Sequence, residues 1–257
     1  MGSSLGEGSG VGSSLGEGSG VGSSLGEGSG VGFFIFDLDG TLLDTLGDLA
    51  AAVNYAMRTH GMPEHSVDDV RRFVGNGVRR LMERAVPDGE QNPLFGQALD
   101  AFRAYYLEHS LDTTRPYDGI PEMLAELKRR GKRLAVVSNK FQTATEELCR
   151  HFFPDTIEVA IGENEAEGIR KKPAPDTVFE ALRRLGYPFT SHHSPLTTHH
   201  SPLTPEKAVY VGDSDVDILT APNSGLPCIS VLWGFRDRDF LLSHGATTLI
   251  ASPEELL

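Results

Sequence analysis

Apolar residues along this chain gather into short continuous runs separated by segments of helical period. The runs are Phe33–Phe36, Leu134–Val137, Val159–Ile161, Ala208–Val211 and Ile229–Leu232. A strand with one wet face alternates apolar and polar positions, so unbroken runs predict strands buried on both faces of a parallel sheet. Between them, IPEMLAELKRR (Ile120–Arg130, closed by Gly131) and TVFEALRRL (Thr177–Leu185, closed by Gly186) carry the helical period and a glycine stop. Strand-helix alternation of this kind predicts an α/β fold with a doubly wound, Rossmann-like parallel sheet.

One stretch breaks the rhythm. From Leu46 to about Arg115 no strand pattern appears, and DLAAAVNYAMRTHG, DDVRRFVG, VRRLMERAV and GQALDAFRAYYLEHS all read as helices. About seventy helical residues between the first and second strands predict a separate helical unit over residues 46–115, leaving 32–45 and 116–257 for the core. Two repeats stand apart from this plan. Residues 2–31 are the unit GSSLGEGSGV three times over, a Gly/Ser composition that cannot bury enough surface to order itself. It is either an artefact of expression or a tandem duplication at the DNA level, and it is set aside from the fold. SHHSPLT (Ser191–Thr197) followed by THHSPLT (Thr198–Thr204) makes residues 190–204 an inserted loop. Its His192, His193, His199 and His200 invite a metal reading, but no carboxylate or cysteine is interleaved. The loop also precedes a strand, away from the strand ends where ligands bind.

The totals narrow the function. Of 257 residues 39% are hydrophobic, enough for a large packed core, and the net charge is −13. That balance argues against a nucleic acid or an anionic membrane as partner. It leaves room for a small anionic substrate, whose field is set locally. Cys149 and Cys228 form no C-x-x-C pair, no apolar run nears the ~20 residues of a membrane span, and the N-terminus lacks a signal-peptide pattern. A reducing cytoplasm is the expected location.

Three strands end in polar punctuation: Asp37-Leu38-Asp39-Gly40-Thr41 after the first, Ser138-Asn139 after the second, and Gly212-Asp213-Ser214-Asp215-Val216-Asp217 after the fourth. Doubly wound sheets bind ligands at the carboxyl ends of their strands, so these groups are expected to converge. Lys171 and Lys172 precede Pro173 between the second and third clusters. Acids, a hydroxyl and a lysine at one sheet edge suit a phosphate held on Mg²⁺, a hard cation that takes carboxylate and substrate oxygens.

In this order, DLDGT, a strand ending in Ser, a Lys before Pro, and GDSxxD resemble the haloacid dehalogenase superfamily of Mg²⁺-dependent phosphatases over residues 33–257. The helical insertion just after the first motif resembles the cap of the members with α-helical caps. Within it, VGNGVRRLMERA (Val74–Ala85) is similar to the cap segment of phosphoglycolate phosphatases. The resemblance implies a phosphatase for a small phosphorylated metabolite, with 2-phosphoglycolate the best single expectation. It implies Asp37 as the nucleophile that forms an aspartyl-phosphate, and Asp39 as general acid and then base. Asp37, Asp39 (through its main-chain carbonyl) and Asp213 would hold the metal, with Asp217 orienting the site from behind. Ser138 and the Asn139 amide would hold phosphate oxygens and Lys172, rather than Lys171, would neutralise charge. Thr41 and the cap residues Gly75, Asn76 and Arg79 would meet the substrate, with Arg80 and Gly77 as neighbours of the same segment. Asp215 reads as a first-turn acid and Asp44 as a turn residue. Hinges are expected near Thr45–Gly47 and Thr114–Asp118.

The chain departs from the family where an Ala-rich helix should follow GDSDVD. It reads ILTAPNSG, with Pro222 inside the expected helix. A proline there costs about 3 kcal/mol in a helix interior, which predicts a short or kinked helix. Two rival readings share these motifs: a phosphomutase of the same superfamily, and a non-catalytic protein that keeps the phosphate pocket. A dehalogenase needs neither the Asp39 acid nor a metal.

Overall fold

The computed structural model describes residues 1, 30–164, 168–188 and 207–257. The inserted His/Pro repeat with its four histidines, and all of the Gly/Ser repeat except Gly30 and Val31, lie outside the described residues. In chain order the elements are β1 (Phe33–Phe36), β2 (Leu43–Asp44), α1 (Leu46–Thr59), α2 (Val67–Phe73), α3 (Val78–Ala85), α4 (Phe95–His109), β3 (Arg115–Pro116), α5 (Ile120–Arg129), β4 (Arg133–Phe141), α6 (Gln142–Phe152), β5 (Val159–Glu163), α7 (Asp176–Arg184), β6 (Ala208–Gly212), α8 (Asp215–Asn223), β7 (Cys228–Val231), α9 (Arg238–Ser243) and β8 (Leu249–Ile250). No helix among them is long and apolar enough to cross a membrane.

Six strands form one parallel sheet in the order β5-β4-β1-β6-β7-β8. Phe34, Phe36, Leu134, Val136, Val209 and Val211 point to one face, against α5 and α6. Ile35, Ala135, Val137, Ala208 and Tyr210 point to the other, against α7 and α8. Both faces are therefore buried, which is why the runs are continuous rather than alternating. Two features go beyond the pattern. β8 adds a short sixth strand, and β4 continues past Ser138-Asn139 to Phe141, with irregular pairing to β5 between Val137 and Phe141.

The register builds the site. Phe36 pairs with Val136 on one side and Val211 on the other. One residue further on, Asp37, Val137 and Gly212 are level, and Ser138 and Asp213 follow immediately. The carboxyl edge of three adjacent strands thus carries every polar cluster that ends them.

The inserted helices have a core of their own. Along α4, Phe95, Ala98, Leu99, Phe102 and Tyr106 fall on one stripe and pack with Leu49, Val53 and Met57 of α1, Val70 of α2 and Met82 of α3. Ala144, Phe141 and Phe235 from the sheet side join that cluster, so the helices sit over the strand ends. Pro222 lies one residue before the end of α8. The helix is short and stops there, and the chain leaves through Gly225 at φ +72°, so the proline occupies the last turn and breaks no longer run.

Both chain crossings between core and helices are tied together. β2 pairs antiparallel with β3. Next to them the buried Asp48 carboxylate accepts four strong hydrogen bonds, from Thr113 N (2.9 Å) and Oγ1 (2.6 Å) and from Thr114 N (2.9 Å) and Oγ1 (2.7 Å). Asp48→Ala leaves the buried Thr114 donors without an acceptor and releases the exposed Thr113. It is expected to cost about 3 kcal/mol in urea unfolding, and a loss below about 0.5 kcal/mol would show that the clasp is dispensable.

Candidate active site

Asp37 leaves β1 buried, with its main-chain N–H on the Val211 carbonyl at 2.9 Å. The chain then turns sharply, and Leu42 and Leu43 N–H both return to the Leu38 carbonyl at 3.0 Å. Gly40 makes the turn at φ +91°, and a Cβ there would lie 2.4 Å from the Asp213 carboxylate. Gly234, after β7, is held to glycine in the same way: its Cβ would meet Asp213 Cβ at 2.3 Å and the Gly40 carbonyl at 2.5 Å. Two segments therefore close on Asp213 at a distance only glycine allows.

Lys172 Nζ lies at the centre of the polar network. It donates to Asp37 Oδ1 at 2.7 Å, to Asp217 Oδ1 at 2.8 Å and to the Tyr210 hydroxyl at 3.1 Å. Its backbone is clamped to the end of β4: Lys172 N–H donates to Asn139 Oδ1 at 2.8 Å, and Asn139 Nδ2 donates to the Lys172 carbonyl at 3.0 Å. Asp217, fully buried, also takes the Tyr210 hydroxyl (2.8 Å) and both Ser214 N–H (3.1 Å) and Oγ (2.6 Å). Its oxygens are committed to holding lysine, tyrosine and the start of α8.

Asp39 faces a second cation. Its Oδ1 accepts from Thr45 Oγ1 at 2.6 Å and lies 2.9 Å from Lys140 Nζ. Lys140 in turn donates to the hydroxyl of Tyr106, on α4, at 2.8 Å. Both donors fall on one oxygen, which fixes the carboxylate and leaves Oδ2 unengaged by them. Ser138 Oγ accepts from Lys140 N–H at 3.2 Å, so its own hydrogen remains available to a ligand.

The charges respond to burial. It pushes the Asp37 carboxyl well above its usual range, a shift that Lys172 opposes and Asp217 and Asp213 reinforce. Asp213 is pushed up to about 7, first by burial and then by Asp217, against the pull of the Phe235 N–H donated to its Oδ2 at 2.7 Å. Burial works against the Lys172 ammonium, yet Asp217 and Asp37 outweigh it and hold the lysine above its ordinary value. Two buried carboxyls thus lack sufficient positive charge. Asp37, Asp213 and Asp217 offer oxygens that lie within 4.8 Å of one another. With Asp217 committed elsewhere, Asp37 and Asp213 are the hard donors best fitted to a divalent cation.

These groups line one pocket of about 50 Å³ under the inserted helices. Asp37, Asp39, Ser138, Asn139, Lys172 and Asp213 all border it, as does Gly75. Thr41, Asn76 and Arg79 do not. Thr41 is buried behind Asp213, with Oγ1 3.4 Å from Asp213 Oδ1. Asn76 accepts from Arg84 Nη2 at 2.8 Å and borders, with Asp215, an adjoining cleft that shares Phe235 and Arg236 with the pocket. Arg79 points to solvent, pairs with Glu90 at 2.7 Å and lies over the Phe95 ring. Lys140, Tyr106, Tyr210, Phe235 and Arg236 were not anticipated. The one signal for the last two was the LWGFR run that follows the fifth apolar stretch.

The family model of haloacid dehalogenase-like hydrolases matches residues 34–231. The phosphoglycolate phosphatase of Aquifex aeolicus (strain VF5) is 33% identical over 216 residues, 82% of this chain and 91% of the relative. A Lactobacillus delbrueckii subsp. bulgaricus ATCC BAA-365 protein of solved structure, assigned as a phosphoglycolate phosphatase, superposes with a TM-score of 0.77 at 35% identity, covering 88% of this chain and 96% of that one. CbbY from Rhodobacter sphaeroides, solved in complex with phosphate, superposes with a TM-score of 0.63 at 27% identity, over 88% and 96% of the two chains.

The raised Asp213 carboxyl fixes a sign. Its contribution to the cation-free fold is present at acid pH and is lost as pH rises through about 7. A divalent cation replaces the proton, so it binds better above that pH. Millimolar Mg²⁺ is expected to raise the melting temperature more at about pH 8 than at about pH 6. An equal rise at both, or none, would remove Asp213 from the metal site.

Proposed function

The chain belongs to the haloacid dehalogenase-like hydrolases, and from that premise we propose that it hydrolyses a small phosphate monoester, 2-phosphoglycolate, using Mg²⁺ and a phosphoryl group carried on Asp37. It is a phosphoric monoester hydrolase. The observation that carries the finer reading is Asp37 itself. It is a buried carboxylate with one oxygen on Lys172, in a pocket that Asp39 and Ser138 also border.

Each step then has a residue. A carboxylate oxygen of Asp37 forms a bond to phosphorus as the ester P–O bond breaks, and Asp39 gives its proton to the leaving alkoxide. Asp39 next takes a proton from the water that attacks phosphorus, the bond to Asp37 breaks, and inorganic phosphate leaves. Ser138 Oγ and the Asn139 main-chain N–H donate to phosphate oxygens, and Lys172 offsets charge on both the phosphate and Asp37. Asp37, Asp213 and the main-chain carbonyl of Asp39 would hold Mg²⁺, which supplies further neutralisation of the transferring group. Asp217 positions Lys172. The helices of residues 46–115 act as a cap that closes over substrate, with bending near 45–47 and 114–118.

Phosphate release tests this. The account expects Mg²⁺-dependent release from 2-phosphoglycolate, exceeding release from p-nitrophenyl phosphate and hexose 1-phosphates, and a loss of at least ~10³-fold in Asp37→Asn. Release from p-nitrophenyl phosphate alone would keep the mechanism and discard the substrate. Release that persists in Asp37→Asn would discard the nucleophile.

A further inference from the structure

Three cations border the catalytic pocket: Lys140, Lys172 and Arg236. Two are neutralised where they stand. Lys172 meets Asp37 and Asp217, and Lys140 meets Asp39. Arg236 differs. Its Nη1 donates to the Arg71 carbonyl at 2.7 Å, its Nη2 to the carbonyls of Val74 at 2.7 Å and Arg72 at 3.4 Å, and its guanidinium lies 5.3 Å from the Phe240 ring centroid. All of these hydrogen-bond and ring partners are neutral, and the charge of Arg236 reaches Asp213 only through space, pulling that carboxyl down. A guanidinium has five N–H donors in a planar fork, so three bonds leave two, and the Nε–H is buried with no partner among the described residues. A buried donor left unpaired in a native structure calls for a missing acceptor.

Position adds to this. Arg236 directly follows Phe235, whose N–H binds Asp213 at 2.7 Å, so the guanidinium is anchored to the same loop as the proposed metal carboxylate. Leu49, Val74, Val78, Leu81 and Phe235 make the other walls apolar, and these offer nothing to a charged substituent.

We infer that Arg236 is the substrate-specificity residue, binding a second anionic group, a carboxylate, on a compact phosphomonoester. This rests on the phosphatase reading above. It moves recognition of that group from the inserted helices, where Asn76 and Arg79 lie outside the pocket, to the loop after β7.

The test compares kcat/KM for 2-phosphoglycolate and ethyl phosphate, which differ only by a carboxylate in place of a methyl group, in the unaltered chain, Arg236→Met and Arg236→Lys. The unaltered chain is expected to prefer 2-phosphoglycolate. Arg236→Met should lose about 10²-fold on 2-phosphoglycolate and less than about threefold on ethyl phosphate, as expected for a lost charge-assisted contact. Arg236→Lys, which keeps the charge and loses the fork, should fall between. Equal losses on both substrates would make Arg236 a structural clasp between core and helices and overturn the inference, as would no loss on either. An unaltered chain that hydrolyses both equally well would overturn it while leaving the phosphatase reading intact. Hydrolysis of neither would defeat the phosphatase reading itself. If Arg236→Met fails to fold, the preference of the unaltered chain and its change in Arg236→Lys still decide.

Discussion

An ammonium almost without water, Lys172, sits between two buried carboxylates, Asp37 at 2.7 Å and Asp217 at 2.8 Å. The site is arranged around that contact. Removing one partner of a buried pair costs about 3–5 kcal/mol, because the other is left charged in a poorly polarisable surround. The network therefore has to be complete. Asn139 fixes the lysine backbone, Tyr210 fills the third position on Nζ, and Ser214 holds the far oxygen of Asp217 at the start of α8. What remains is one oxygen of Asp37 beside a cation, and Asp213 with too little positive charge near it. Hydrophobic packing alone would not produce that imbalance. A bound cation and a phosphate would correct it.

The same economy of charge links the core to the inserted helices. Asp48 ties the outgoing crossing to the returning one through Thr113 and Thr114. Tyr106, from α4, reaches Lys140, which reaches Asp39. Phe235 and Arg236, from the loop after β7, touch Asp213 on one side and the carbonyls at the end of α2 on the other. The position of the helices is thus felt at both carboxylates that flank Asp37. A cap moving as a rigid body would draw on these contacts first.

Much of this arrangement is legible in the sequence. Asp37, Asp39 and Asp213 stand out because acids at the end of apolar strands have no structural purpose, and parallel register then brings them level. The sheet followed from continuous apolar runs, and the helical insertion from a seventy-residue gap in them. Lys140 was not legible. The apolar run stops at Val137, and its partners lie elsewhere, Tyr106 being 34 residues earlier in the chain. Arg79 failed in the opposite direction. A basic residue in the right segment looked like a ligand, but Glu90 and the Phe95 ring hold it at the surface. Arg236 was not legible for a different reason: its partners are main-chain carbonyls, which no side-chain pattern reveals. Pro222 predicts a short or kinked α8, and the helix is short, ending one residue after the proline.

The central claim is that phosphate passes through Asp37, and trapping it there tests that most directly. The chain would be mixed with 2-phosphoglycolate and Mg²⁺, quenched in acid within the first turnover, and its peptides weighed by mass spectrometry. The account predicts a phosphoryl group on the peptide carrying Asp37, absent from Asp37→Asn and absent without metal. Substrate consumed with no phosphorylated peptide at any quench time, or a phosphoryl group on another residue, would contradict it.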